Sequence, residues 1–229
     1  MKRVFLIIVF SLRLFIAAAD DGYKRNPLID VINYTFKISV SDTSDIIYGE
    51  ALISMIFSGE VSAMDFDLKS IRSDGKGMVI DSVKLSVCGV KWMHIENKLK
   101  ISPDSLMAAG TSCILNVAYH GIPADGLIIS ENKFKNRSFF SDNWPDRAGN
   151  YIPCIDHPYD KATVEFIIIA PAHYEVVANG YLFEERHLQG DRKLTHWKEE
   201  IPLATKVMAF GVADFDFSLA GLAGNVPVW

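Results

Sequence analysis

The stretch VINYTFKISVSD, residues 31–42, decides the fold class. Tyr34, Phe36, Ile38 and Val40 are apolar, and Thr35, Lys37, Ser39 and Ser41 between them are polar. Successive side chains of an extended chain point to opposite faces, so a period of two marks a strand buried on one side. A helix would need apolar residues three and four apart. The same period returns in GEALISMIF (49–57), where Ala51, Ile53, Met55 and Phe57 share a face. It returns again at 112–119 with Cys113, Leu115, Val117 and Tyr119.

Further strand-like runs lie at 61–68, 79–87, 90–95 and 98–102. After a charged stretch come TVEFIIIAP (163–171), YEVVANG (174–180), LFEERH (182–187), KLTHWKEE (193–200) and KVMAFGVADF (206–215). Turn-forming residues punctuate them at hairpin spacings, as in Asn179-Gly180, Gln189-Gly190-Asp191 and Ser73-Asp74-Gly75. No window holds a helical period beyond about two turns. The pattern predicts an all-β fold of antiparallel sheets packed face to face as a β-sandwich, with few or no helices.

The 229 residues suffice for a substantial core, and the 49% hydrophobic fraction is that of a globular protein. Net charge is −5, and no Lys/Arg cluster interrupts it, which argues against a nucleic-acid partner. Lys2 and Arg3 precede an apolar run from Val4 to Leu12, and IAAAD offers a small-residue cleavage site after Ala19. Residues 1–19 therefore read as a secretory signal peptide, and 20–229 as the exported domain. Nothing else approaches membrane-spanning length. The tripeptides Asn33-Tyr34-Thr35 and Asn136-Arg137-Ser138 would accept glycans in a eukaryotic secretory pathway. Cys88, Cys113 and Cys154 are too few for a disulfide scaffold and read as free thiols, although Cys88 and Cys113 could pair in an oxidising compartment.

A hydrolase needs a nucleophile with its base, poised carboxylates or a metal cluster. No G-x-S-x-G elbow is present, and no two histidines stand four apart beside a Glu as a zinc-protease helix requires. HWKEE (196–200) places an acidic residue where the second His would stand, and it lies in a strand-like run. The densest ionisable cluster is NWPDRAGNYIPCIDHPYDKATVEF (143–166), preceded by Asp142. A His157 flanked by Asp156 and Asp160 could act as a general base or a ligand. Pro158 instead marks a turn, an Asp ahead of it would cap the backbone, and Lys161 would neutralise Asp156 or Asp160. Arg147, Pro153, Asp156, Pro158, Asp160 and Lys161 thus read as a structural corner, with no catalytic or metal-binding residue among them.

That cluster resembles the N-terminal domain of the M1 zinc aminopeptidases. The family pattern P-C-x-D-x-P-x-x-K-A is met by Pro153, Cys154, Asp156, Pro158, Lys161 and Ala162. YEVVANG, YHGIPADGL (119–127) and IPLATKVMAFGVADF (201–215) are similar to later and earlier family segments. The likeness runs from about Leu28 to Trp229. It implies a saddle of antiparallel sheet packed on a separate catalytic domain that carries zinc, a G-x-M-E-N segment and H-E-x-x-H. It also implies that this domain lends one Gln or Glu to hold the free amine of the peptide substrate. That position falls on Trp144, which has no carboxylate or amide oxygen. Asp142 and Asp146 are the alternatives nearby, and Asp142, Trp144 and Asp146 form the candidate edge of the substrate cleft. A second departure is Lys206, where the family has Tyr.

The chain stops at VPVW (226–229), which resembles the strand leading into the catalytic domain. The expectation is a domain inactive alone, partnered by a missing M1-type catalytic domain and, through the completed cleft, by peptide. An exposed apolar face would then make the chain self-associate. The alternative is a stand-alone β-module, derived from such an enzyme, that binds a partner or peptide.

Overall fold

The computed structural model describes residues 21–224 and 226–228. The segment read as a signal peptide, and Trp229, lie outside the described residues. The first part of the chain forms β1 (Ile29–Ser39), β2 (Ile47–Phe57), β3 (Met64–Asp67), β4 (Gly77–Leu85), β5 (Val90–Ile95), β6 (Lys98–Pro103) and β7 (Ser112–Ile122). Next come β8 (Leu127–Glu131) and β9 (Arg137–Ser141), and a long turn-rich stretch leads to β10 (Ala162–Pro171). The remainder is β11 (Glu175–Ala178), β12 (Tyr181–Leu188), β13 (Arg192–Leu203), β14 (Phe210–Ala213), β15 (Gly221–Ala223) and β16 (Val226–Val228). Helix is limited, among the described residues, to 3-10 turns at Ala148–Asn150 and Thr205–Val207.

The main sheet has seven strands in the order β12-β13-β10-β1-β2-β7-β4. A four-stranded sheet, β11-β14-β9-β8, and a three-stranded sheet, β3-β6-β5, complete the sandwich-like body, while β15 and β16 pair alone. The alternating residues of β1, β2 and β7 behave as their period requires. Tyr34, Phe36, Ile38, Ala51, Ile53, Phe57, Leu115, Val117 and Tyr119 are all buried in one core. Sealing that apolar face from water is the largest favourable contribution to the fold.

Three connections differ from the sequence reading, and one turn agrees with it. β1 pairs with β10 in parallel, Asn33 opposite Thr163 through Ser39 opposite Ile169, within an otherwise antiparallel sheet. The eight strands between them in sequence supply the long crossover that a parallel pair needs. Gln189-Gly190-Asp191 does turn the β12–β13 hairpin, with Gly190 and Asp191 at φ 75° and 53°. Asn179-Gly180 does not turn a hairpin: it carries the chain from β11, which pairs with β14, to β12 in the other sheet. Ser73-Asp74-Gly75 likewise joins β3 and β4, which pair with different partners.

The β8–β9 hairpin escaped the periodic reading, since its strands are short. Asn132 Oδ1 accepts the amides of Phe134 (2.8 Å) and Asn136 (3.1 Å). The three cysteines are free thiols; Cys113 and Cys154 are buried and Cys88 is half-buried. Burial pushes the Cys113 thiol up to about 11, with the neighbouring Cys88 adding to the rise.

Candidate functional site

The chain between β9 and β10 is built on buried backbone contacts. Asn143, 3% exposed, donates its amide to the carbonyls of Met208 (2.6 Å) and Thr205 (3.3 Å). This fastens the start of the loop to the turn that follows β13. Cys154 exchanges backbone hydrogen bonds with Asp67 (2.7 and 3.1 Å), and the Ile155 amide donates to the Tyr34 hydroxyl (3.1 Å). Asp67 is the hub of the corner. Its carboxylate accepts the Tyr23 hydroxyl (2.5 Å) and the Asp156 amide (3.1 Å), and it pairs with Lys98. No sequence signal marks Asp67, because its importance comes from the place of β3 against this loop.

Asp156 and Asp160 each accept hydrogen bonds, but from partners other than those read from the sequence. Asp156 accepts the Gly149 amide (2.9 Å) and the Thr205 hydroxyl (3.2 Å) rather than capping the Pro158 turn. Asp160 accepts the Val31 amide (3.4 Å). Lys161 is exposed and forms no ion pair with a described residue, so neither carboxylate is neutralised by it. Burial raises both acids to about 6, against the hydrogen bonds that favour their ionised forms. The cap at the Pro158 turn is His157, whose Nδ1 lies 3.1 Å from the Tyr159 amide and accepts it. Its Nε2 lies 2.8 Å from Asp21, and Tyr23 stacks on the ring at 4.7 Å. Both ring nitrogens are occupied, which leaves no lone pair for a metal or for a substrate proton.

The leading edge of the loop is different. Arg147 donates to Asp142 (2.5 Å) and to the Trp144 carbonyl (2.6 Å), and lies 3.5 Å from Asp125. Gly126, at φ 76°, runs beneath this turn, where a Cβ would stand 2.2 Å from the Arg147 carbonyl oxygen. Asp142 is thus already neutralised. Asp146 is exposed and makes no hydrogen bond or ion pair with a described residue. Trp144 is 58% exposed, joined to Pro145 by a cis peptide bond. Lys206 stands over its indole, with Nζ 4.3 Å from the ring centroid. The two positions singled out as departures in the sequence are therefore in contact. Their sequence separation hid this, and Asn143 is the residue that brings the two segments together.

Among the described residues, no group of three or more His, Cys, Asp or Glu side chains is placed to hold a metal ion. No helix among the described residues is long and apolar enough to cross a membrane. A groove of about 660 Å³ is lined by Ser39, Asp42, Tyr48, His173 and Arg192 among others, and by none of the predicted cleft residues.

Residues 31–207 match the model of the Peptidase M1 N-terminal domain. The chain belongs to this family. It is 24% identical over 209 residues to the probable M1 family aminopeptidase 1 of Encephalitozoon cuniculi, covering 88% of this chain and 24% of that protein. A shorter match, 31% over 75 residues, is to the glutamyl aminopeptidase of Rattus norvegicus, covering 33% of this chain and 8% of that one. Among solved structures, a two-domain M1 zinc metallopeptidase bound to L-tryptophan superposes with a TM-score of 0.74 at 20% identity, over 89% of this chain and 47% of that chain. The M1 zinc metallopeptidase of Deinococcus radiodurans gives 0.68 at 20% identity, over 81% and 42%. The chain spans about a quarter of the length of the E. cuniculi relative, so the family resides here in its N-terminal domain.

Proposed function

We propose that this chain is the cleft-lining scaffold domain of an exported zinc metalloaminopeptidase, inactive until joined to an M1-type catalytic domain. The observation that carries the reading is the family match over 31–207, on a chain whose described residues offer no metal-binding group. Zinc and the reaction it supports, removal of an N-terminal residue from a peptide, would belong to the partner domain. This chain would shape the mouth of the cleft with the segment from Asp142 to Asp146. Of the two carboxylates there, Asp142 is held by Arg147, which leaves Asp146 to receive the ammonium of the peptide.

Such a partner would need apolar side chains to seat on. Ile201, Val207, Phe217, Leu219, Leu222 and Val228 are all exposed, the last four within a short stretch at the end of the described chain. Exposed apolar side chains so close together in the chain would offer the catalytic domain a place to pack. Light scattering tests the reading. The chain alone is expected to self-associate, and a zinc-loaded M1-type catalytic domain lacking its own N-terminal domain should convert it to a one-to-one complex. A chain that stays monomeric and ignores that domain contradicts the proposal.

A further inference from the structure

The Trp144–Lys206 pair carries an inference about substrate class. An ammonium over an indole face is attracted by the negative face of the ring, so it is held in place without needing a carboxylate. Lys206 forms no ion pair with a described residue, and Asp142, the carboxylate two residues before Trp144, is bound to Arg147. The Lys206 ammonium can donate three hydrogen bonds, and its only described contact is the ring beneath it. Trp144 is more than half exposed, so apolar ring surface lies open beside the Lys206 ammonium. Asp146, exposed in the same turn, provides a negative charge at the other side of Pro145.

We infer that Trp144 and Lys206 form a binding site for the side-chain carboxylate of an acidic N-terminal residue, so that the substrate class is peptides beginning with Asp or Glu. The inference rests on the cleft reading above. The side-chain methylenes would lie on the indole, the carboxylate would pair with Lys206, and the peptide ammonium would turn towards Asp146. A peptide beginning with Lys would meet Lys206 as a like charge and be disfavoured.

The test uses the chain itself, with the indole N–H of Trp144 followed by NMR and assigned by its loss in Trp144→Phe. Tripeptides beginning with Glu, Ala or Lys are titrated at millimolar concentration, because half a cleft binds weakly. The Glu peptide should shift the Trp144 signal, and the Ala and Lys peptides should shift it several-fold less. Lys206→Gln should abolish the difference, and Lys206→Glu should reverse it in favour of the Lys peptide, with circular dichroism unchanged in both. Equal shifts from Glu and Ala peptides, lost in Asp146→Asn, would overturn the acidic preference while leaving the cleft reading standing. Peptides that move no resonance between Asp142 and Asp146 would overturn both.

Discussion

Asp156 shows how little of a charged cluster need be catalytic. It accepts the Gly149 amide and the Thr205 hydroxyl, which favour its ionised form, yet burial outweighs them and lifts it to about 6. Asp160 is raised likewise. An acid whose folded pKa exceeds its unfolded value binds its proton more tightly in the folded state. Stability is then highest below the unfolded value near 4 and falls as pH rises towards 6. For Asp156 the loss is on the order of 2–3 kcal/mol. Urea unfolding between pH 4 and 7 should show this decline, and Asp156→Asn should reduce it to the part that Asp160 contributes, since an amide keeps an acceptor for Gly149 without the buried charge. A decline of unchanged depth in that variant would place its origin elsewhere. The sequence marked Asp156 and Asp160 with Lys161 as their partner, whereas Gly149, Thr205 and Val31 supply the donors. A charge on an exposed, flexible stem gains little from pairing, whereas a buried carboxylate must find donors, and backbone amides are nearest.

At the scale of elements, Gly180 fixes how the two larger sheets are joined. The chain passes there from β11 to β12 at φ 85°, and a Cβ would stand 1.8 Å from the Lys198 carbonyl oxygen on β13. The obstacle is backbone, which cannot rotate aside. Gly180→Ala should therefore destabilise the protein by about 3 kcal/mol or more, read as a lowered urea midpoint. A change within about 0.5 kcal/mol would show that the crossing is loosely held. The strands themselves were legible wherever one face is buried, as in β1, β2 and β7, because burial imposes the period of two. The pairing was less so. Asn179-Gly180 has hairpin chemistry but makes an inter-sheet step, since local turn preference does not specify which strand comes next to which. The parallel β1–β10 pair depends on contacts 130 residues apart, beyond the reach of any local pattern.

Over the whole molecule, family and fold agree: a β-sandwich-like body of M1 N-terminal type, whose described residues contain no zinc donor set. The candidate cleft edge was half visible in sequence. Trp144 and Lys206 each stood out, but their contact required Asn143 to bind the carbonyls of Thr205 and Met208. Phe217, Leu219 and Leu222 are exposed near the end of the described chain. The most direct measurement is hydrolysis of aminoacyl-4-nitroanilides by a zinc-loaded M1-type catalytic domain, with and without this chain. No turnover is expected from the chain alone, and the mixture should turn over well above the catalytic domain, an activity lost on removal of zinc. A mixture no faster than the catalytic domain alone, or zinc-independent turnover by the chain itself, would contradict the proposal.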